Sequence, residues 1–166
     1  IQYLLLQRND ANGYDLLAIY HIRAGEPQKG LTVLQNMFKT KPDWEKQATL
    51  TLSTTAARAA LAWIAKPNHK LEETEVAKLR QQALKWLQDD LEATKKLCKE
   101  DLEKGKVAVH AKQGVFNAWP EFQQMRDPKH LEKIPEAERA VWKELWSEAE
   151  KLANETPTPP GVFRTF

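Results

Sequence analysis

Cysteine is almost missing from this chain: Cys98 stands alone among 166 residues. One thiol can close no internal disulfide and build no thiolate cage around a metal. An excess of charge is missing too. The 25 lysines and arginines face 23 aspartates and glutamates, a formal charge of +2. No strong field therefore steers nucleic acid or an anionic lipid surface, and no basic stripe alternates with aromatics as nucleic-acid grooves require. No apolar run reaches the ~20 residues that span a bilayer, and no signal peptide leads the sequence. The chain opens on Ile1 rather than Met, so it is expected to be a fragment or a processed form. Cytoplasmic location is the expectation, with export left open.

Catalytic and metal signatures are absent as well. Histidines at 21, 69, 110 and 130 fall on different segments without a His-x-x-x-His pair. His21 lies on an apolar face and reads as a hydrogen-bonded packing residue. Cys98 reads as a small core residue, since a nucleophile would need a base beside it. Asp89 and Asp90 are adjacent on a helical stretch, about 100° apart, and cannot converge on one ion. No catalytic, cofactor-binding or metal-binding residue is assigned, and the chain is not expected to be an enzyme.

What the sequence does contain is helical periodicity, and residues 13–42 organise it. Tyr14, Leu17, Ala18 and His21 recur at the spacing of one helix face, with Asp15, Tyr20 and Arg23 off that stripe. Gly25 suits a left-handed closing residue, and Pro27 the first turn of the next helix. Gly30, Leu31, Leu34, Met37 and Phe38 form the second inward stripe, and Pro42 ends it. Such a hairpin hides its apolar stripe only by stacking on a neighbour, which is the logic of a helical repeat.

This stretch resembles a tetratricopeptide repeat, a helix–turn–helix unit of about 34 residues. Tyr14 stands for its bulky aromatic, Leu17-Ala18 for its Leu-Gly, and Gly25 for its turn. Gly30 matches the small residue where the helices cross, and Pro42 the closing proline. His21, Leu34 and Met37 depart from the pattern. The resemblance implies a groove lined by the first helix, with Asn12, Asp15, Ile19, Ile22 and Arg23 facing it. That mixed apolar and charged surface suits an extended peptide or a partner helix.

The remaining elements follow in order. Residues 1–8 are strongly apolar and read as the end of a preceding repeat, or as a capping helix. A helix is expected over 44–65, opened by Asp43 and carrying Ala48, Leu52, Ala56 and Trp63 inward. Residues 66–69 break the chain. The longest helix is expected over 72–104, with a stripe including Val76, Leu79, Trp86, Leu87, Leu91 and Cys98. Glu92 with Lys96 and Glu100 with Lys104 are ordered for i,i+4 pairing, and Gly105 closes the helix. A shorter helix over 107–119 is stopped by Pro120. A connection with one turn near 129–133 follows, then a last helix from Pro135 to about 153, anchored by Trp142 and Trp146.

The segment 71–153 is similar to the helical extension that follows tetratricopeptide repeats in large multidomain bacterial proteins of planctomycete type. The carrying residues are the 81–87 run QQALKWL with Arg80 before it, Arg126-Asp127-Pro128, residues 134–139 (IPEAER), and the Trp142 and Trp146 pair. In many of those proteins a serine/threonine kinase lies upstream, yet no Gly-rich loop, His-Arg-Asp or Asp-Phe-Gly occurs here. The tail 154–166 carries three prolines and a glycine, which favour extended chain. Val162, Phe163 and Phe166 are its candidate docking residues, either over the last helix or onto a partner.

The fold expected is all-α: tetratricopeptide-like hairpins over 1–65, a helical extension over 66–153 and an extended tail over 154–166. The function expected is a non-catalytic scaffold binding a partner protein, with no cofactor, nucleic acid or membrane insertion. Two alternatives stay open. One is a structural subunit of a larger assembly, held through its apolar N-terminus and its tail. The other is the regulatory repeat region of a longer kinase chain.

Overall fold

The computed structural model describes residues 10–157. The apolar start at 1–8 and the tail residues Val162, Phe163 and Phe166 lie outside them. The protein is all-α as expected: no strand occurs among the described residues, and the helices pack on one another. In chain order they are α1 Ala11–Arg23, α2 Pro27–Thr40, α3 Pro42–Glu45, α4 Leu52–Ile64, α5 Glu73–Glu100, α6 Leu102–Ala118, α7 Pro120–Gln124, α8 Pro128–Leu131 and α9 Glu136–Glu155. The chain forms two compact units that divide between Asp90 and Leu91, inside α5. The linker at 66–70 separates helices, but it does not separate the units, because the first half of α5 packs into the N-terminal one.

In that N-terminal unit, α1 begins where the Asp10 side chain accepts the Gly13 N–H at 2.7 Å, satisfying one of the orphan donors of a helix start. The turn between α1 and α2 uses Gly25 at φ 75°, a conformation that costs glycine nothing. Lys66 Nζ donates to the Gly25 carbonyl at 2.6 Å. Pro27 opens α2 in its first turn. Leu17, Ala18, Leu31, Leu34, Met37 and Phe38 are buried between the arms and their neighbours.

Helix α4 is the centre of this unit. Every residue from 52 to 61 is buried, so those turns have no solvent face, and the buried alanines at 56, 57, 59 and 60 let α1 and α2 approach the helix. A helix buried all round must satisfy its polar groups internally. Thr54 Oγ1 donates to Asp90 Oδ2 at 3.2 Å, and the Ser53 hydroxyl donates to the Glu45 carbonyl. The helix expected over 44–65 is in fact two, since α3 ends at Glu45 and α4 starts at Leu52. Threonine propensity is weak there, and tertiary bonds take the connection over. Thr51 Oγ1 donates to Asp15 Oδ2 at 2.8 Å, while Trp86 Nε1 donates to Glu45 Oε1 at 2.7 Å.

In the C-terminal unit the long helix also stops earlier than 104. It ends at Glu100, and Asp101 caps α6 by accepting the Lys104 N–H at 3.1 Å. Gly105 thus lies inside the first turns of α6 rather than closing α5. Its role is contact: a Cβ there would stand 2.6 Å from Cys98 Cα and 2.7 Å from its Sγ. The ion pairs regroup accordingly, as Glu92 with Lys95 at 2.7 Å, Glu100 with Lys96 at 3.7 Å and Asp101 with Lys104 at 2.8 Å. Pro120 ends α6 and also opens α7.

Trp146 on α9 is the hub of this unit. Its ring centre lies 5.4 Å from Phe116, 6.0 Å from Phe122 and 5.9 Å from Trp142. Its indole N–H donates to the Met125 carbonyl at 2.8 Å. Three aromatic contacts and a satisfied polar handle are what a buried tryptophan needs. They fasten α6, α7 and α9 together.

Candidate functional site

The first helix of the hairpin carries an outer face with apolar character. At 100° per residue, Asn12, Leu16, Ile19, Tyr20 and Arg23 share an arc of about 100° on α1. Leu16 is 44% exposed and Tyr20 40%, the only large apolar side chains of the described N-terminal unit exposed to that degree. Ile19 is half-buried beside them, and Asn12 and Arg23 are exposed at the two ends. The α2 and α4 contacts hold the opposite face of α1. The outer stripe is therefore fixed in place by a packed helix.

Of the five residues assigned to the groove, Asn12, Ile19 and Arg23 fall together on this face. Asp15 and Ile22 lie to one side of it, toward α4. Ile22 is buried, and Asp15 is half-buried with its carboxylate accepting from Thr51. Burial pushes the Asp15 carboxyl pKa up, and the Thr55 and Thr51 hydroxyls beside it offset part of that rise. The repeat register passes over Leu16 and Tyr20, which lie on the helical arc through Asn12 and Arg23. The arc alone would have included both.

The turn next to this face is held by charge. Glu26 accepts from Lys29 at 2.6 Å and lies 3.3 Å from His21 Nδ1. Lys29 first, then His21, holds the Glu26 carboxyl below its usual pKa. His21 is itself buried and its ring meets Tyr20 edge-on at 5.7 Å, the packing role expected of it. Tyr20 is thus seated against a fixed neighbour, which lowers the entropy it would lose on being covered.

The acidic pair at 89–90 diverges as expected. Asp89 is exposed and accepts from Lys85 at 2.8 Å, whereas Asp90 is buried toward Thr54. Among the described residues no three His, Cys, Asp or Glu side chains group as metal ligands would. No described helix is long and apolar enough to cross a membrane. Burial pushes the Cys98 thiol pKa up, the opposite of what activates a nucleophile.

Comparison with protein-family models, with curated proteins and with solved structures gives no significant match for this chain.

Proposed function

We propose that this chain is a non-catalytic protein-interaction module of tetratricopeptide type, taking a partner's extended segment or helix on the outer face of α1. The observation that carries the reading is the adjacency of exposed Leu16 and Tyr20 with Ile19 on a packed helix. Anchoring side chains at i, i+3 and i+4 on a rigid surface are what helix-in-groove and peptide recognition use. Asn12 and Arg23 at the ends would supply the polar rim that fixes direction. The repeat assignment draws support from the Gly25 turn, the close crossing at Gly30 and the stacking of α4 on both arms of the hairpin.

The test is selection of peptides from a phage-displayed random library on the intact chain, with affinities then measured by fluorescence anisotropy. The double variant Leu16→Glu/Tyr20→Glu is expected to weaken the selected peptides by at least about tenfold, the effect of ~1.4 kcal/mol. Its far-ultraviolet circular dichroism should be unchanged, because both side chains are exposed. Peptides that bind this variant and Arg23→Glu as well as the parent place the interaction elsewhere on the chain and overturn the reading.

A further inference from the structure

A pocket of about 600 Å³ opens on the C-terminal unit between α6, α8 and α9. Arg126 is part of its lining. Its guanidinium carbon lies 4.6 Å from the Trp146 ring centre and 6.0 Å from that of Phe116. Nη1 donates to Asn117 Oδ1 at 3.0 Å, while Nε is sealed from solvent without a hydrogen-bond partner. Among the described residues no carboxylate reaches ion-pair distance of this cation. Glu150 acts on it only at longer range, against a burial that disfavours its charge. A cation drawn part-way out of water with a neutral amide as its bonded partner is costly, and a guanidinium carries five N–H donors, of which the bond to Asn117 uses one.

The surrounding side chains narrow what would complete the site. Lys143 and Glu150 stand on the rim of the pocket. With Arg126 they sum to one positive charge, which a monoanion neutralises and a phosphate dianion oversteps. Pro128, Leu131 and Trp146 form the apolar part of the lining, suited to an apolar stem behind the charge. Arginine is also the side chain whose planar fork matches a carboxylate.

We propose that this pocket binds a carboxylate carried on an apolar stem, such as the end of a peptide whose last residue is apolar, with Arg126 and Lys143 as its cationic contacts. The site lies on a different unit from the α1 face and does not depend on it.

The experiment is a titration of the intact, isotope-labelled chain followed at the Arg126 Nε–H and Trp146 indole N–H resonances. The probes are N-acetyl-leucine, its amide, an acetylated tetrapeptide ending in leucine, and inorganic phosphate. The free acid is expected to shift both resonances saturably and the amide to leave them in place. Lys143→Ala should weaken the acid several-fold. Arg126→Lys, which keeps the charge and loses the fork, should weaken it by about tenfold, with thermal unfolding showing that the variant folds. A tetrapeptide binding tighter than N-acetyl-leucine would identify peptide ends as the source, and equal affinity a small free acid. An equal response to the amide, tighter binding of phosphate, or no saturable shift at either resonance in the parent chain would overturn the proposal.

Discussion

A methyl group on Gly30 would stand 2.8 Å from the carbonyl oxygen of Ala18. That carbonyl is backbone of α1 and has no rotamer to move into, so the approach of α1 and α2 is limited by position 30. Gly30→Ala is expected to destabilise the protein by roughly 1–3 kcal/mol through overpacking, more than the ~1 kcal/mol that alanine gains over glycine in a helix. Gly114 in α6 has open space where its Cβ would be, so Gly114→Ala should stabilise by up to ~1 kcal/mol. Thermal unfolding of the two variants should move in opposite directions. A shift of the same sign would remove steric contact as the reason for Gly30.

Asp15 gives a pH dependence whose sign is set by burial. Its folded pKa is raised, so within the carboxylate range the folded chain binds more protons than the unfolded one, and stability falls as pH rises through the folded pKa. Asp15→Asn keeps an acceptor for Thr51 and removes this titration. The stability of Asp15→Asn minus that of the parent should grow as pH rises from the ordinary carboxylate range through the raised folded pKa, then level off. Chemical unfolding at several pH values measures the difference, and a difference that shrinks with pH would contradict the burial account.

Trp86 is 3% exposed, packs against Phe38 with the rings tilted and their centres 6.2 Å apart, and donates to Glu45. Trp86→Phe keeps most of the ring and leaves a half-buried carboxylate oxygen without that donor. A loss of about 1–3 kcal/mol is expected in urea unfolding. Glu45→Gln, which retains an acceptor, should cost less. Equal losses would mean that a neutral amide acceptor cannot stand in for the carboxylate, since Glu45→Gln leaves the packing of the Trp86 ring in place.

Cys98 should be a slow thiol. Burial raises its pKa, which lowers the thiolate fraction at neutral pH. Reaction with a disulfide reagent is expected to be slower in the native chain than in denaturant. Equal rates in the two conditions would mean that the contact with Gly105 leaves the sulfur open.

Much of this fold was legible from local chemistry. Gly25, Pro27, Pro120 and Pro128 mark turns and helix starts because glycine alone takes positive φ cheaply and proline fixes φ and lacks a donor. The apolar stripes through Leu17, Leu34, Trp86 and Trp146 announced helices and their inward faces because their period matches the helix. His21 as a packing residue and the divergence of Asp89 from Asp90 followed from the same arithmetic.

The tertiary structure decided what that period could not. The break between α3 and α4 depends on partners remote in sequence, Asp15 for Thr51 and Trp86 for Glu45. The role of Gly105 depends on Cys98 lying against it. The face that α1 leaves open depends on where α2 and α4 cover it, which leaves Leu16, Ile19 and Tyr20 toward the outside and Ile22 inside. The setting of Arg126 over Trp146 joins side chains 20 positions apart. Local sequence sets where helices can start, stop and hide a stripe, because those costs are paid within a turn or two. Which stripe stays uncovered is an outcome of packing, and packing is decided by residues that meet only when the chain folds.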